Sequence, residues 1–250
     1  MANSPARGLF VTGTDTGVGK TVVSCALIRA LRERGVDAAG MKPIETGVGP
    51  EGPLDAIALR EAAGASDSLD DVCPQQFALP AAPSVAACAE GRSVDFDVIR
   101  SAFGRIANRR DLVVVEGAGG LLVPIRDGKT MADLAQVLGL PLLIVARAAL
   151  GTINHTLLTL EATAARGLPV IGFVISHAGG ELSAADAANL SALRVELGNR
   201  LVGEIPPLEP NGGVPVDAID LDVVVRALLQ IFGSRINPLR EKVPRPMTRQ

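Results

Sequence analysis

The sequence predicts an α/β domain in which a mostly parallel sheet carries helices on both faces. Short apolar runs alternate with segments whose apolar residues recur about every 3.6 positions, which is the pattern of repeated strand–helix–strand units. A glycine-rich stretch at 13–20 separates the first apolar run from the first helical segment, as a turn between strand and helix requires. The 250 residues are 48% hydrophobic, enough for one large core.

Six apolar runs are predicted to be strands, because each is short and rich in Val, Leu and Ile. They cover 8–12, 36–42, 111–115, 141–146, 170–175 and 201–204. Segments with helical spacing predict helices at 21–34, 54–63, 95–109, 152–166, 184–198 and 217–231. We expect one domain over 1–236 and a disordered basic tail over 237–250, which holds three prolines and four basic residues.

Composition excludes several classes of protein. The net charge of -3 and the aromatic content of 2% argue against a nucleic-acid partner, which needs basic surface or stacking rings. No apolar run is long enough to predict a membrane span, and the first residues do not resemble a signal peptide, so we expect a cytoplasmic protein. Cys25, Cys73 and Cys88 are too widely spaced for a CxxC metal site and odd in number for a disulfide framework.

The strongest motif is GTDTGVGKT at 13–21. Backbone amides of such a loop and the helix N-terminus after it bind phosphate, Lys20 reaches the β- and γ-phosphates, and the Thr21 hydroxyl binds Mg²⁺. The spacing departs from the usual pattern, because Gly13 lies one residue too far back and Thr14 stands where the first glycine is expected. An ordinary glycine-rich helix cap is the alternative, but the strand–turn–helix context indicates a P-loop NTPase-type fold.

Glu116 and the glycines at 117, 119 and 120 follow the predicted strand 111–115. Ligands bind beyond the carboxyl ends of parallel strands, and a carboxylate beside a phosphate loop is suited to Mg²⁺. A surface glutamate before a turn is the alternative interpretation.

Two further charged residues are candidates. Lys42 ends the second predicted strand and is placed to stabilise charge during phosphoryl transfer, although this segment alone favours an exposed edge lysine. Asp55 begins the next helix, where it is either a second metal ligand or an acid that interacts favourably with the helix dipole.

The segment Gly151-Thr-Ile-Asn-His155 precedes the helix at 152–166. A glycine and threonine at a helix start form either an anion site or a simple cap. We assign no role to His155, which lies inside the helix, or to His177, which follows a strand.

Together, GTDTGVGKT, KPIETG, VEGAGGLLVPI and GTINHTLLTLEA resemble the signature stretches of the dethiobiotin synthetase family, in the same order. With GEIPPL at 203–208, the resemblance spans roughly residues 8 to 210. It implies a ligase of biotin biosynthesis that makes a cyclic urea from 7,8-diaminononanoate, CO₂ and ATP with Mg²⁺. A carbamate and a carbamic-phosphoric anhydride would be intermediates, so no side-chain nucleophile is needed.

The resemblance also implies roles for individual residues. Lys20 and Lys42 would be catalytic, Thr21, Asp55 and Glu116 would hold Mg²⁺, and a homodimer would share each active site. The implied diamine contacts are Thr16, Thr46, Gly151, Thr152 and Asn154. The implied ATP contacts are Gly17, Val18, Gly19, Lys20, Thr21, Val22, Asp55, Glu116, Gly117, Ala118, Gly119, Ser176, Pro206, Pro207 and Leu208.

One departure from the family pattern concerns the adenine, since Ser176 stands where the family often has an asparagine. Three rival interpretations remain. A partitioning-type P-loop ATPase would carry a lysine where this chain has Asp15. A cobyrinate-type amide synthetase would carry a glutaminase domain for which 250 residues leave no room. A pure nucleotide-binding module is the third.

Overall fold

The computed structural model describes residues 7–178, 182–208, 214–215 and 217–232. Within these ranges the strands are β1 (Gly8–Gly13), β2 (Ala38–Met41), β3 (Ile44–Thr46), β4 (Gln75–Phe77), β5 (Leu112–Gly120), β6 (Pro124–Arg126), β7 (Lys129–Thr130), β8 (Leu142–Arg147), β9 (Val170–Ser176) and β10 (Leu201–Ile205). The helices are α1 (Lys20–Glu33), α2 (Leu54–Ala62), α3 (Leu69–Val72), α4 (Pro83–Ala89), α5 (Phe96–Ala107), α6 (Met131–Leu138), α7 (Thr152–Ala165), α8 (Ala184–Leu197) and α9 (Leu221–Phe232).

Six strands form the central sheet in the order β10-β9-β8-β1-β5-β2, and every neighbouring pair is parallel. The chain first builds the β1–β5–β2 side and then crosses β1 to add β8, β9 and β10. The strand order therefore reverses at β1, which is where open parallel sheets bind ligands at their carboxyl edge.

Alternate residues of β1 point to opposite faces of the sheet, as a strand requires. Leu9 and Val11 belong to a core that α1, α2 and α9 cover, whereas Phe10 belongs to a core that α5, α6 and α8 cover. The predicted fold class, a parallel sheet with helices on both faces, is confirmed. No helix in the described ranges is long and apolar enough to cross a membrane.

The structure corrects several predicted elements. β5 runs on to Gly120 instead of ending at Val115, because the end of β1 continues to pair with it. Gly117 packs against the ring of Phe10. A Cβ at position 117 would lie 2.8 Å from that ring, so the absence of a side chain allows β5 to pair this closely with β1. The sequence did not predict α3, α4, α6 or the small sheets β3–β4 and β6–β7, whose strands are only two or three residues long. The predicted tail, 237–250, lies outside the described residues.

Candidate active site

The glycine-rich loop leads from β1 into α1 at the carboxyl edge of the sheet. Gly17 and Gly19 have φ values of 69° and 93°, a left-handed conformation that glycine adopts without strain. Gly19 is the N-cap of α1 and provides no side-chain cap, so the first amides of the helix are available to an anion.

Lys20, the first residue of α1, is buried, and its Nζ donates to the Asp15 carbonyl at 3.1 Å. Burial, with the neighbouring charge of Lys42, lowers the pKa of Lys20 to about 8. The loop thus curls around its own lysine.

Three polar side chains from distant elements meet next to the loop. The Thr21 hydroxyl lies 2.9 Å from Oδ1 of Asp55 and 2.9 Å from Oε1 of Glu116. Glu116 is fully buried, and because it lies within β5 the alternative of a surface glutamate is wrong. Asp55 is in the first turn of α2, and its side chain is 41% exposed.

Lys42 connects the two carboxylates. Its Nζ lies 2.7 Å from Oδ2 of Asp55 and 2.6 Å from Oε1 of Glu116, and it is 4% exposed, so it is not an exposed edge lysine. Burial would lower the pKa of Lys42, but the charges of Glu116 and Asp55 outweigh burial and raise it. Burial likewise would raise the pKa of Asp55, and the charge of Lys42 outweighs it and lowers that pKa. Both groups are therefore charged at neutral pH.

Glu45 is a residue of this site that the sequence reasoning missed. Its two carboxylate oxygens accept from the amides of Asp55 and Ala56, each at 3.0 Å. Burial raises the pKa of Glu45, although the two amide bonds oppose the shift. The start of α2 was the sequence signal that could have indicated such a residue. Its N-cap, Pro53, has no side-chain acceptor, so the first amides of α2 need a partner from elsewhere.

These groups line a cleft of about 380 Å³. Of the predicted site residues, those on its wall are Thr16, Gly17, Gly19, Lys20, Thr21, Val22, Lys42, Thr46, Asp55, Glu116, Ala118 and Gly119. Glu45 and Ala178 complete the lining.

The remaining predicted residues lie elsewhere. Val18 and Gly117 are buried. Ser176 is also buried, and its side chain abuts Gly19. Pro206, Pro207 and Leu208 are exposed beyond β10.

The start of α7 does not line this cleft either. Gly151 is the N-cap with a φ of 88°. Thr152 is buried, and its amide donates to the Ala149 carbonyl, whereas Asn154 is exposed.

The donor set suits Mg²⁺, which prefers oxygen ligands and is commonly bound by one or two carboxylates together with phosphate oxygens. Oε2 of Glu116 is buried and has no hydrogen-bond partner among the described residues, so a ligand for a cation is left unused beside Thr21 and Asp55. The described ranges contain no group of three or more His, Cys, Asp or Glu side chains that could hold a metal by themselves. The site therefore fits a metal that arrives with phosphate.

Comparison with known proteins identifies the family. The AAA domain family matches residues 7–213. The ATP-dependent dethiobiotin synthetase of Anaeromyxobacter dehalogenans is 55% identical over 191 residues, which cover 74% of this chain and 86% of the relative. The chain belongs to the dethiobiotin synthetase family. The synthetase of Aromatoleum aromaticum is 43% identical over 204 residues, covering 80% of this chain and 90% of the relative.

A solved structure supports the fold alone. The MinC:MinD cell division complex of Aquifex aeolicus is similar with a TM-score of 0.52 and 17% identity, covering 98% of this chain and 99% of that one. A shared fold at this identity does not separate a synthetase from the rival interpretations of the sequence. The sequence relatives make that separation, because they place this chain among the dethiobiotin synthetases.

Proposed function

We propose that the chain is an ATP-dependent dethiobiotin synthetase, a ligase of biotin biosynthesis that forms the ureido ring of dethiobiotin. Its relatives of 55% and 43% identity carry this activity in their names. The substrates are 7,8-diaminononanoate, CO₂ and ATP. A cytoplasmic location is part of the proposal, because the reaction consumes ATP.

The reaction proceeds in three balanced steps. One substrate amine attacks CO₂ and loses a proton, giving a carbamate. A carbamate oxygen attacks the γ-phosphorus of ATP, and the bond to ADP breaks, giving a carbamic-phosphoric anhydride. The second amine attacks the carbamate carbon, phosphate leaves, and the amine proton is released as the ring closes.

The protein contributes positioning and charge, since no side chain forms a covalent bond. Loop amides from Gly17 onwards and Lys20 bind the phosphates, and Lys42 stabilises carbamate and phosphoryl oxygens. Thr16 and Thr46 line the same cleft and hydrogen-bond the diamine or its carbamate. Each lost charge-stabilising donor typically reduces the rate by about 10²–10³.

Thr21, Asp55 and Glu116 would hold Mg²⁺. The metal would neutralise charge on the phosphate oxygens. The unpartnered Oε2 of Glu116 and the hydroxyl between the two carboxylates support this assignment.

One observation carries the chemistry: Nζ of Lys42 lies 2.7 Å from Oδ2 of Asp55 and 2.6 Å from Oε1 of Glu116, next to the phosphate loop. A coupled ADP-release assay tests the function, with 7,8-diaminononanoate, bicarbonate and Mg²⁺ each omitted in turn. We expect release to require all three. Release of ADP that does not depend on the diamine would favour a partitioning-type switch.

We also propose a homodimer with shared active sites. Leu122 and Leu158, which line one cavity, are 48% and 55% exposed, and Leu150, just before α7, is 74% exposed; a second copy would cover these apolar side chains. A cavity of about 520 Å³ in the same region is lined by Asp15, Leu122 and Leu158 among others, and so adjoins the phosphate loop. The amides of Ile153 and Asn154 have no acceptor among the described residues, so the start of α7 fits the substrate carboxylate of the partner's site.

Mixing two inactive chains tests the shared site. Lys20→Ala disables the phosphate loop, and Asn154→Pro removes a free amide at the start of α7. Thr152 is unsuitable because its amide already donates to Ala149. Each variant is first shown to be folded and impaired. Hybrid dimers purified through two affinity tags should regain activity; hybrids no more active than either parent contradict the shared site.

A further inference from the structure

Glu45 is a buried carboxylate that the reaction scheme leaves without a task. It is 7% exposed and lies in the wall of the cleft, next to the lysines and carboxylates of the site. Each of its oxygens accepts one amide, that of Asp55 or that of Ala56. Glu45 therefore binds the backbone of the residue whose side chain faces Lys42 and Thr21.

This arrangement holds Asp55 from two directions. Its amide is held by Glu45, while its carboxylate bonds to Lys42 through Oδ2 and to the Thr21 hydroxyl through Oδ1. With backbone and side chain both restrained, the first turn of α2 has little freedom to rotate the carboxylate away from Glu116.

A cap alone does not require such a residue. Helix N-termini are ordinarily capped by Ser, Thr, Asp or Asn at the N-cap itself, at the surface, yet here the N-cap is Pro53. The capping acid instead comes from β3, is buried, and lies in the wall of the cleft. The fold thus places a buried carboxylate where both of its oxygens restrain the first turn of α2.

We propose that Glu45 is a positioning residue that orients Asp55 for Mg²⁺. The inference rests on the proposed function, because it takes Asp55 as a metal ligand. Partners that orient metal ligands typically change metal affinity by about 10- to 100-fold when removed. Glu45 is predicted to act in this range, through metal affinity and not through contact with ATP.

The test measures binding of Mn²⁺ to the protein in the presence of ADP, by electron paramagnetic resonance, so that it does not depend on turnover. Glu45→Ala removes both acceptors, and Glu45→Gln retains one. Asp95→Ala is the matched control, since Asp95 accepts from two amides of α5, those of Asp97 and Val98, and does not line the cleft. Urea unfolding of all three variants measures what capping alone contributes.

We expect Glu45→Ala to weaken Mn²⁺ binding by about 10- to 100-fold, Glu45→Gln by less, and Asp95→Ala by under about twofold. In the activity assay, raising Mg²⁺ should restore most of the kcat of Glu45→Ala. Unchanged Mn²⁺ affinity in a folded Glu45 variant overturns the proposal, and if Glu45→Ala does not fold, Glu45→Gln decides. Weakened Mn²⁺ binding in a protein that makes no dethiobiotin would uphold the positioning role and reject the proposed function instead.

Discussion

Ion-pair clusters lie at both ends of the central strands, one at the carboxyl edge of the sheet and one at the amino edge, and their charged groups are paired differently. The carboxyl-edge cluster consists of Thr21, Lys42, Asp55 and Glu116. The amino-edge cluster consists of Asp67, Asp71, Arg105, Arg109 and Arg110 and lies where β5 and β2 begin, since Arg110 precedes β5 and also bonds to Asp37 just before β2.

In the amino-edge cluster every carboxylate oxygen is used. Arg109 and Arg110 bond to the two oxygens of Asp67 at 3.2 and 3.0 Å. Arg105 and Arg109 bond to those of Asp71 at 2.7 and 2.8 Å. The cluster joins the end of α5 to the α3 region and has no ligand left to offer.

In the carboxyl-edge cluster Oε2 of Glu116 has no partner among the described residues, and the bridging cation is a lysine beside a cleft. Lysine is a compact point charge that can shift between oxygens, whereas the planar fork of arginine favours fixed bidentate pairs. We therefore expect a binding cluster to differ from a structural one by its unsatisfied ligands and an adjoining cavity, and not by the number of charges.

The largest expected effect is a loss of kcat on substitution in the carboxyl-edge cluster. Lys42→Ala should lower kcat by about 10²–10³, because it removes charge stabilisation of the carbamate and phosphoryl oxygens. Nucleotide binding, measured with ADP, should change far less than it does in Lys20→Ala. Lys129→Ala, at an exposed lysine paired with Asp133, serves as the control. Full turnover by Lys42→Ala would show that this lysine has no part in the reaction.

A smaller effect is expected at the other edge, and it should be one of stability. Asp71→Asn should lower the free energy of unfolding by about 1–2 kcal/mol, a moderate value because Arg105 and Arg109 are about half exposed and solvent screens their charges. Urea unfolding measures the loss, and kcat should stay within about twofold of the unsubstituted protein, since Asp71 is not a cleft residue. A tenfold loss of kcat in the folded variant would contradict the division between the clusters.

The loss of unfolding free energy in Asp71→Asn should also depend on pH, and the change with pH should be a fraction of the loss itself. Burial would raise the pKa of Asp71, but the hydrogen bonds from Arg109 and Arg105 outweigh it, so that the folded pKa lies below the ordinary 3.8. A lowered folded pKa stabilises the protein above the unfolded value, and this contribution disappears as the pH falls through the folded value. The stability difference from Asp71→Asn should therefore be complete at about pH 7 and shrink below about pH 4; a constant difference would contradict the assignment.

A further effect is expected at the base of the nucleotide. The cleft lining contains lysines and carboxylates but, among the described residues, no asparagine or glutamine, and Ser176 stands at the position for which the resemblance to the family implies an asparagine. A bidentate amide contact is worth about 1–3 kcal/mol, so its loss should leave a preference for ATP on the order of tenfold. Turnover with ATP and GTP at subsaturating concentration measures this, and a preference above ~10³-fold would be incompatible with it.

Local features of the site were predictable because their information is contiguous. The loop 13–21 joins a strand to a helix within nine residues, and its glycines, Lys20 and Thr21 stand in the order that a phosphate site requires. Glu116 and Asp55 were candidates because each lies at an end of a predicted element. The strand and helix pattern likewise predicted the six-stranded core, although not the short β3 and β4.

The sequence by itself determined the parallel α/β class, the phosphate loop and the candidate ligands, since each depends on periodicity or on neighbours along the chain. Only the tertiary structure decided that Lys42 bridges Asp55 and Glu116, that β5 continues through Gly120, and that Glu45 caps α2. The contact between Lys42 and Glu116 joins positions 74 residues apart, and that between Thr21 and Glu116 joins positions 95 residues apart. The physical reason is that a parallel sheet brings strand ends together at one edge whatever their separation in the chain, so the partner of a charge is set by strand order and not by spacing.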